Sequence, residues 1–173
     1  QKQTHRLIST IYHMDKPVIA AVNGAASGLG CDLALACDFI MAGPAASFSM
    51  TYLRRGLIPD GGGLYFLPRR VGTTRAKELI FSARTIAADE AEQIGLADRL
   101  ADADALLDDA CQWAKSLCFG PASAVALSKS ILNRSVDLPL ETVFALGSEA
   151  QSICYASDEH HDAVTAFLDK SSR

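Results

Sequence analysis

Two short glycine-interrupted stretches hold the residue types best suited to chemistry: Asn23-Gly24-Ala25-Ala26-Ser27-Gly28-Leu29-Gly30-Cys31-Asp32 and Ile58-Pro59-Asp60-Gly61-Gly62-Gly63. Each follows an apolar run, leads into helix-compatible sequence and carries one aspartate. A glycine-rich turn that opens a buried helix leaves the first N–H groups without intrahelical partners, and the helix dipole adds positive potential there. Such a terminus stabilises an oxyanion, with the Leu29 N–H as the expected donor, Gly30 assisting and Gly28 forming the turn. Preorganised donors of this kind contribute ~10²–10³ each in rate when charge develops on a carbonyl oxygen. Asp32 and Asp60 would then be paired carboxylates, suited to removing a proton at one carbon and returning it at another. Structural explanations compete at each position: the glycines permit close helix–strand packing, the dipole alone favours Asp32, and Asp60 suits a helix N-cap.

The elements that must position these residues follow from pattern. Leu7, Ile8, Ile11, Tyr12 and Met14 recur at helical spacing, predicting an amphipathic helix over 4–14 that stops before Lys16-Pro17. Val18 to Val22 is an unalternating, β-rich run typical of a strand buried on both faces, ended by Asn23-Gly24. A small, apolar helix is expected from Gly28 to Ala36, then strands at Phe39–Ala42 and Ser47–Met50 around the Gly43-Pro44 turn. After the Asp60 turn come a short helix ending near Pro68, a helix capped by Thr73 or Thr74, and one running from about Ala88 to Gly95. Beyond Ala101 only helical patterns remain, at about 104–118, 121–134, 139–156 and 159–170. Strand–helix–strand order predicts an α/β layer over residues 1–100, followed by a helical portion over 101–173.

Composition excludes several classes. A formal charge of −4 from 20 acidic and 16 basic residues gives no broad positive field for a nucleic acid backbone. No apolar run approaches the ~18 residues of a membrane span, so no membrane partner is expected. The five cysteines include no Cys-x-x-Cys pair and lie in apolar segments, which predicts buried thiols in a reducing compartment. The start, Gln1-Lys2-Gln3, has neither an initiator methionine nor a secretory signal pattern. Gly28-Leu29-Gly30 lacks the third glycine of a dinucleotide fingerprint, where Leu33 stands, and Asp60-Gly61-Gly62-Gly63 lacks the lysine and hydroxyl of a phosphate loop. His160-His161 has no partners at metal-ligand spacing, so no metal is expected. Arg54-Arg55 and Arg69-Arg70 suit ion pairs better than ligand phosphates, and Trp113 and the later phenylalanines suit helix packing.

Lys16-Pro17-Val18-Ile19-Ala20-Ala21-Val22-Asn23-Gly24, Gly28-Leu29-Gly30-Cys31-Asp32-Leu33-Ala34, Cys37-Asp38, Gly56-Leu57-Ile58-Pro59 and Leu67-Pro68-Arg69-Arg70-Val71-Gly72 together resemble the enoyl-CoA hydratase/isomerase (crotonase) family. The resemblance continues through Ala88-Asp89-Glu90-Ala91, Gly95-Leu96 and Asp158 to Ala166-Phe167-Leu168, and corresponds to the C-terminal two thirds of the family. It implies the crotonase (ClpP-like) fold, an α/β fold of stacked β-β-α turns with a helical C-terminal trimerisation portion. It also implies trimers that pair into hexamers, and an acyl-CoA thioester substrate with no cofactor beyond the coenzyme A of that thioester. Its members imply a cytoplasmic protein, or one of a mitochondrial or peroxisomal matrix in a eukaryotic cell.

The resemblance also assigns roles. One oxyanion donor matches the Leu29 N–H, beside Gly28 and Gly30, and the other comes from a loop earlier than the present sequence. Asp32 stands where hydratases carry a glutamate, and Tyr52 stands where they carry a second one. Asp60 stands where hydratases have glycine and several isomerases have aspartate. Tyrosine, with an unperturbed pKa of ~10, is a poor base near neutrality, so Tyr52 is expected to line the pocket or orient the acyl group. The resemblance therefore favours an enoyl-CoA or dienoyl-CoA isomerase that works through an enolate, with Asp60 moving the proton. The alternatives are an enoyl-CoA hydratase or another enolate-forming lyase or hydrolase, and a non-catalytic scaffold of the same fold.

Overall fold

The computed structural model describes residues 1–171. The chain divides into two compact units, the first formed by residues 1–13 and 18–114 and the second by 14–17 and Lys115 onward. The first unit opens with helix α1 (Lys2–Tyr12), followed by strands β1 (Ile19–Val22) and β2 (Ala25–Ser27), helix α2 (Leu29–Ala36), and strands β3 (Phe39–Ala42) and β4 (Ser47–Ser49). A 3₁₀ turn (Thr51–Arg55) leads into helices α3 (Gly63–Val71) and α4 (Thr73–Ser82), strand β5 (Thr85–Ala87), helix α5 (Ala88–Gln93) and strand β6 (Arg99–Leu100). Helix α6 (Leu106–Leu117) begins in this unit.

Two three-stranded sheets result. In the first, β3 lies between β1 and β6 and is parallel to both. Its sequence, Phe-Ile-Met-Ala, has no polar residue because a parallel strand flanked on both sides and covered by helices has no face for water. Ile40 and Ala42 are fully buried. In the second sheet β4 pairs parallel with β2 and antiparallel with β5, so that Phe48 lies opposite Ala26 and Ile86 in the core. Phe48, Ile40, Leu67, Ile86 and Leu96 are the largest fully buried apolar side chains of that core among the described residues.

Ionic clamps close the layer. Asp98 Oδ2 accepts the Ile40 N–H at 2.7 Å and pairs with Arg70 at 3.1 Å, while Arg70 also donates to the carbonyls of Asp38 and Leu96. Asp38, at the end of α2, accepts the Val18 N–H at 2.7 Å and so ties the entry of β1 to the entry of β3. Trp113 packs against Phe39 with ring centroids 4.9 Å apart, as expected of a packing residue, under the Arg99 guanidinium.

Local chemistry explains the departures from expectation. β2, β5 and β6 have only two or three residues each, and their strand character comes from the ladder rather than from their own sequence. Thr73 and Thr74 do not cap α4: its N-cap is Gly72 at φ 78°, with no side-chain hydrogen bond. Pro68 does not end α3 but sits inside it. Of the five cysteines only Cys31 is buried; Cys37 and Cys154 are half-buried, Cys111 is exposed on α6 and Cys118 in the turn after it, which the apolar surroundings in sequence did not reveal.

The second unit contains helices α7 (Ala122–Ser135), α8 (Leu140–Tyr155) and α9 (Asp158–Ser171), with α7 against α8 and α8 against α9. The Ser123 hydroxyl, in the first turn of α7, donates to Glu159 of α9 in a short hydrogen bond. The later phenylalanines lie at the surface: Phe119 is 96% exposed, and Phe144 and Phe167 are also exposed. Helices α7 and α8 bury no side chain fully, because three helices alone do not enclose their apolar stripes.

Candidate active site

The site is built where α2 begins. Gly28 takes φ 54° and ψ −118°, a conformation that only glycine adopts without strain, and its N–H donates to the Ser49 carbonyl at 2.9 Å. The first intrahelical bond runs from the Asp32 N–H to the Gly28 carbonyl at 3.0 Å. The N–H groups of Leu29, Gly30 and Cys31 precede it and have no acceptor within the helix. The Leu29 side chain is 40% exposed, so this terminus opens outward. Beside it the hydroxyls of Ser27, Ser49 and Thr51 form a chain, with both links 3.1 Å long.

Asp32 lies in the first turn, as expected, but faces inward and is 0% exposed. The Tyr52 hydroxyl donates to its Oδ2 in a short hydrogen bond. Its Oδ1 has no hydrogen-bond partner among the described residues. Burial pushes the Asp32 carboxyl above the usual carboxylate range, and the nearby Asp60 charge adds to this. The Tyr52 hydroxyl and the backbone amides of Gly63 and Gly61, which face the carboxyl without bonding Oδ1, oppose the shift. Burial likewise raises the Tyr52 phenol, reinforced by its bond to Asp32 and by the Asp32 and Asp60 charges. Tyr52 therefore stays protonated, as a donor committed to Asp32. The neighbouring thiol of Cys31 is pushed by burial to about 12 and is no nucleophile near neutrality.

The second glycine stretch closes over this carboxyl. A Cβ on Gly63 would stand 2.5 Å from Asp32 Oδ1 and 3.0 Å from Met50 Cε and Pro59 Cβ. One on Gly61 would collide with Asp32 Oδ2 and stand 2.9 Å from Leu29 Cδ1. Glycine is required here by the approach of backbone to a buried carboxyl. Asp60, at the tip of the same turn, is exposed; its N–H donates to the Ile58 carbonyl at 2.8 Å, and it is not the N-cap of α3, which is Gly62. His5, on α1, reaches the Asp60 carbonyl through Nε2 at 3.0 Å.

The two aspartates singled out in sequence thus share one corner, close enough for the charge of Asp60 to act on both Asp32 and Tyr52. They are not equivalent: one is sealed and hydrogen-bonded, and the other is open to solvent. The contact of Tyr52 with Asp32 and that of His5 with Asp60 were not foreseen, since they join residues 20 and 55 positions apart. Arg54 and Arg70 spend donors on carbonyls and an aspartate of their own chain, and Arg69 stacks 3.4 Å from the Tyr65 ring. Among the described residues no group of three histidine, cysteine, aspartate or glutamate side chains is placed to hold a metal, and no helix is long and apolar enough to cross a membrane.

Comparison with known proteins shows what the chain resembles. The family model described as enoyl-CoA hydratase/isomerase matches residues 1–173. The short-chain-enoyl-CoA hydratase of Clostridium acetobutylicum is 40% identical over 157 residues, covering 91% of this chain and 60% of that protein. The 1,2-epoxyphenylacetyl-CoA isomerase of Escherichia coli K12 is 36% identical over 166 residues, covering 96% of this chain and 63% of that one. The solved enoyl-CoA hydratase/isomerase of Cupriavidus metallidurans superposes with a TM-score of 0.91 at 43% identity, covering 98% of this chain and 64% of that structure. The chain therefore spans somewhat less than two thirds of the length of these relatives.

Proposed function

Because the chain belongs to the enoyl-CoA hydratase/isomerase family and has its crotonase fold, we propose that the site acts on acyl-CoA thioesters by forming an enolate. In this reading the thioester carbonyl lies against the Leu29 N–H at the start of α2, with the Gly30 N–H beside it. The developing negative charge falls on that oxygen, which acidifies the neighbouring carbon. Asp60 then moves a proton along the acyl chain and shifts a carbon–carbon double bond, a general-base contribution of ~10²–10⁴.

The observation that carries isomerisation over water addition is the inequality of the acid/base groups. Water addition by two carboxylates needs a base for the water and an acid for the carbon. Position 52 holds a tyrosine that donates to Asp32, and Asp32 is sealed from solvent. One exposed carboxylate remains at the corner, Asp60, and a proton shift between two carbons of one substrate needs one such group. Asp32 serves as the second carboxylate, supporting the turn that bears Asp60.

Hydration is the second reading, favoured by the names of relatives: proteins 40% and 37% identical are called short-chain-enoyl-CoA hydratase and crotonyl-CoA hydratase. The two separate on product. Given a 3-enoyl-CoA, the full-length protein should yield the conjugated 2-enoyl-CoA; given a 2-enoyl-CoA, it should yield little 3-hydroxyacyl-CoA. Rapid hydration of the 2-enoyl-CoA with no double-bond shift would overturn the isomerase reading. We further propose that copies of the chain assemble as trimers or hexamers that cover the exposed Leu132, Phe144 and Ile153 of the second unit. Sedimentation velocity tests this, and a monomer at micromolar concentration would exclude it.

A further inference from the structure

We infer that His5 is a positioning residue for Asp60, an inference that rests on Asp60 being the proton carrier. His5 sits on α1, one turn from its start, with its backbone N–H held by the Gln1 carbonyl at 2.9 Å. Its Nε2 lies 3.0 Å from the Asp60 carbonyl oxygen and 3.9 Å from Asp60 Oδ2. One ring nitrogen therefore addresses both the backbone and the carboxylate of the same residue. The carbonyl is acceptor only, so the ring tautomer that makes the contact carries its proton on Nε2 and donates it.

The turn tip needs such a hold. Asp60 follows Pro59, its own N–H is spent on the Ile58 carbonyl, and the next two residues are glycines, the second at φ 109°. Gly61 and Gly63 bring no side chain to brace the turn, because the Asp32 carboxyl occupies that space. The Asp60 carboxylate is outside the core and gains nothing from packing. A contact from α1 to the tip fixes the residue from the outer side, while Asp32 supports the turn from beneath. The side chains are 56% and 36% exposed, so the pair adds little stability. Placement is where it matters, since displacing a reacting group by about 1 Å costs on the order of 10²-fold in rate.

The test uses His5→Ala and His5→Gln in the full-length protein. A glutamine side-chain N–H₂ can reach the Asp60 carbonyl where Nε2 does, so it restores the donor without the ring. His5→Ala should lower kcat for double-bond migration about tenfold with KM within twofold, and His5→Gln should recover most of the loss. Amide hydrogen exchange, which needs no turnover, should quicken at Asp60 to Gly63 in His5→Ala and return in His5→Gln. A His5→Ala protein with wild-type kcat and wild-type exchange would overturn the inference, as would a His5→Gln protein as slow as His5→Ala. Asp60→Asn, run in parallel, separates the two claims. If it turns over normally, the assignment of Asp60 fails and His5 loses its role with it. If it is inactive while His5→Ala is unimpaired, only the role of His5 falls.

Discussion

Replacing Tyr52 by phenylalanine removes one hydroxyl and with it the side-chain hydrogen bond to the fully buried Asp32 carboxyl, whose Oδ1 has no hydrogen-bond partner among the described residues. The ring stays, so packing against the Gly28 turn is retained. The cost depends on the charge of Asp32. A bond to the neutral acid contributes about 0.5–1.5 kcal/mol and one to the carboxylate about 1.5–3 kcal/mol. The pH dependence follows from linkage. The folded pKa of Asp32 is raised above its unfolded value, so its contribution is fully present below about pH 4 and is lost as pH rises through the folded pKa. The Tyr52 hydroxyl lowers that folded pKa, and its removal raises it further, extending the loss to higher pH. The variant should therefore be about 1 kcal/mol less stable near pH 4 and about 2–3 kcal/mol less stable once wild-type Asp32 is ionised. Trp113 is the sole tryptophan and lies in the same compact unit, so urea unfolding followed by its fluorescence reports this unit. A difference that does not grow as pH rises, or that stays below about 0.5 kcal/mol throughout, would refute the reasoning.

Other outcomes follow from the same corner. Gly63→Ala should destabilise by about 1–3 kcal/mol through overlap with Asp32, Met50 and Pro59, despite the gain of up to about 1 kcal/mol in helix propensity, as measured by urea unfolding. Leu29→Pro places proline at the first helical position, where it is tolerated, and deletes the N–H while exchanging a partly exposed leucine side chain for the proline ring; kcat should fall ~10²–10³-fold with a small shift of the urea midpoint. In the native protein a thiol reagent should label Cys111 and Cys118 quickly and Cys31 only after unfolding, as peptide mass mapping would show.

Sequence alone made the large parts of this molecule legible. Apolar β-rich runs marked β1 and β3, glycine spacing marked the start of α2, and helical periodicity marked the later helices close to their observed bounds. Asp32 and Asp60 were recognisable because each lies within a few residues of a glycine-rich signal. β2, β5 and β6 were not, because strands of two or three residues take their conformation from a partner far along the chain. The inward orientation of Asp32 was hidden for a similar reason. It depends on a turn some thirty residues later whose glycines leave room for a carboxyl, so a glycine motif that reads locally as flexibility serves close packing. The bond from the Tyr52 hydroxyl to Asp32 was hidden as well, because it joins residues 20 positions apart.

In the proposed reaction Asp60 carries a proton between carbons of a thioester enolate. Its most direct test is proton NMR of a 3-enoyl-CoA in deuterated buffer with full-length wild type and Asp60→Asn. The wild type should shift the double bond and exchange the carbon-bound protons beside the thioester with solvent. In Asp60→Asn both should fall at least ~10²-fold, with unchanged unfolding behaviour. Migration and exchange at the wild-type rate in a folded Asp60→Asn protein would contradict it.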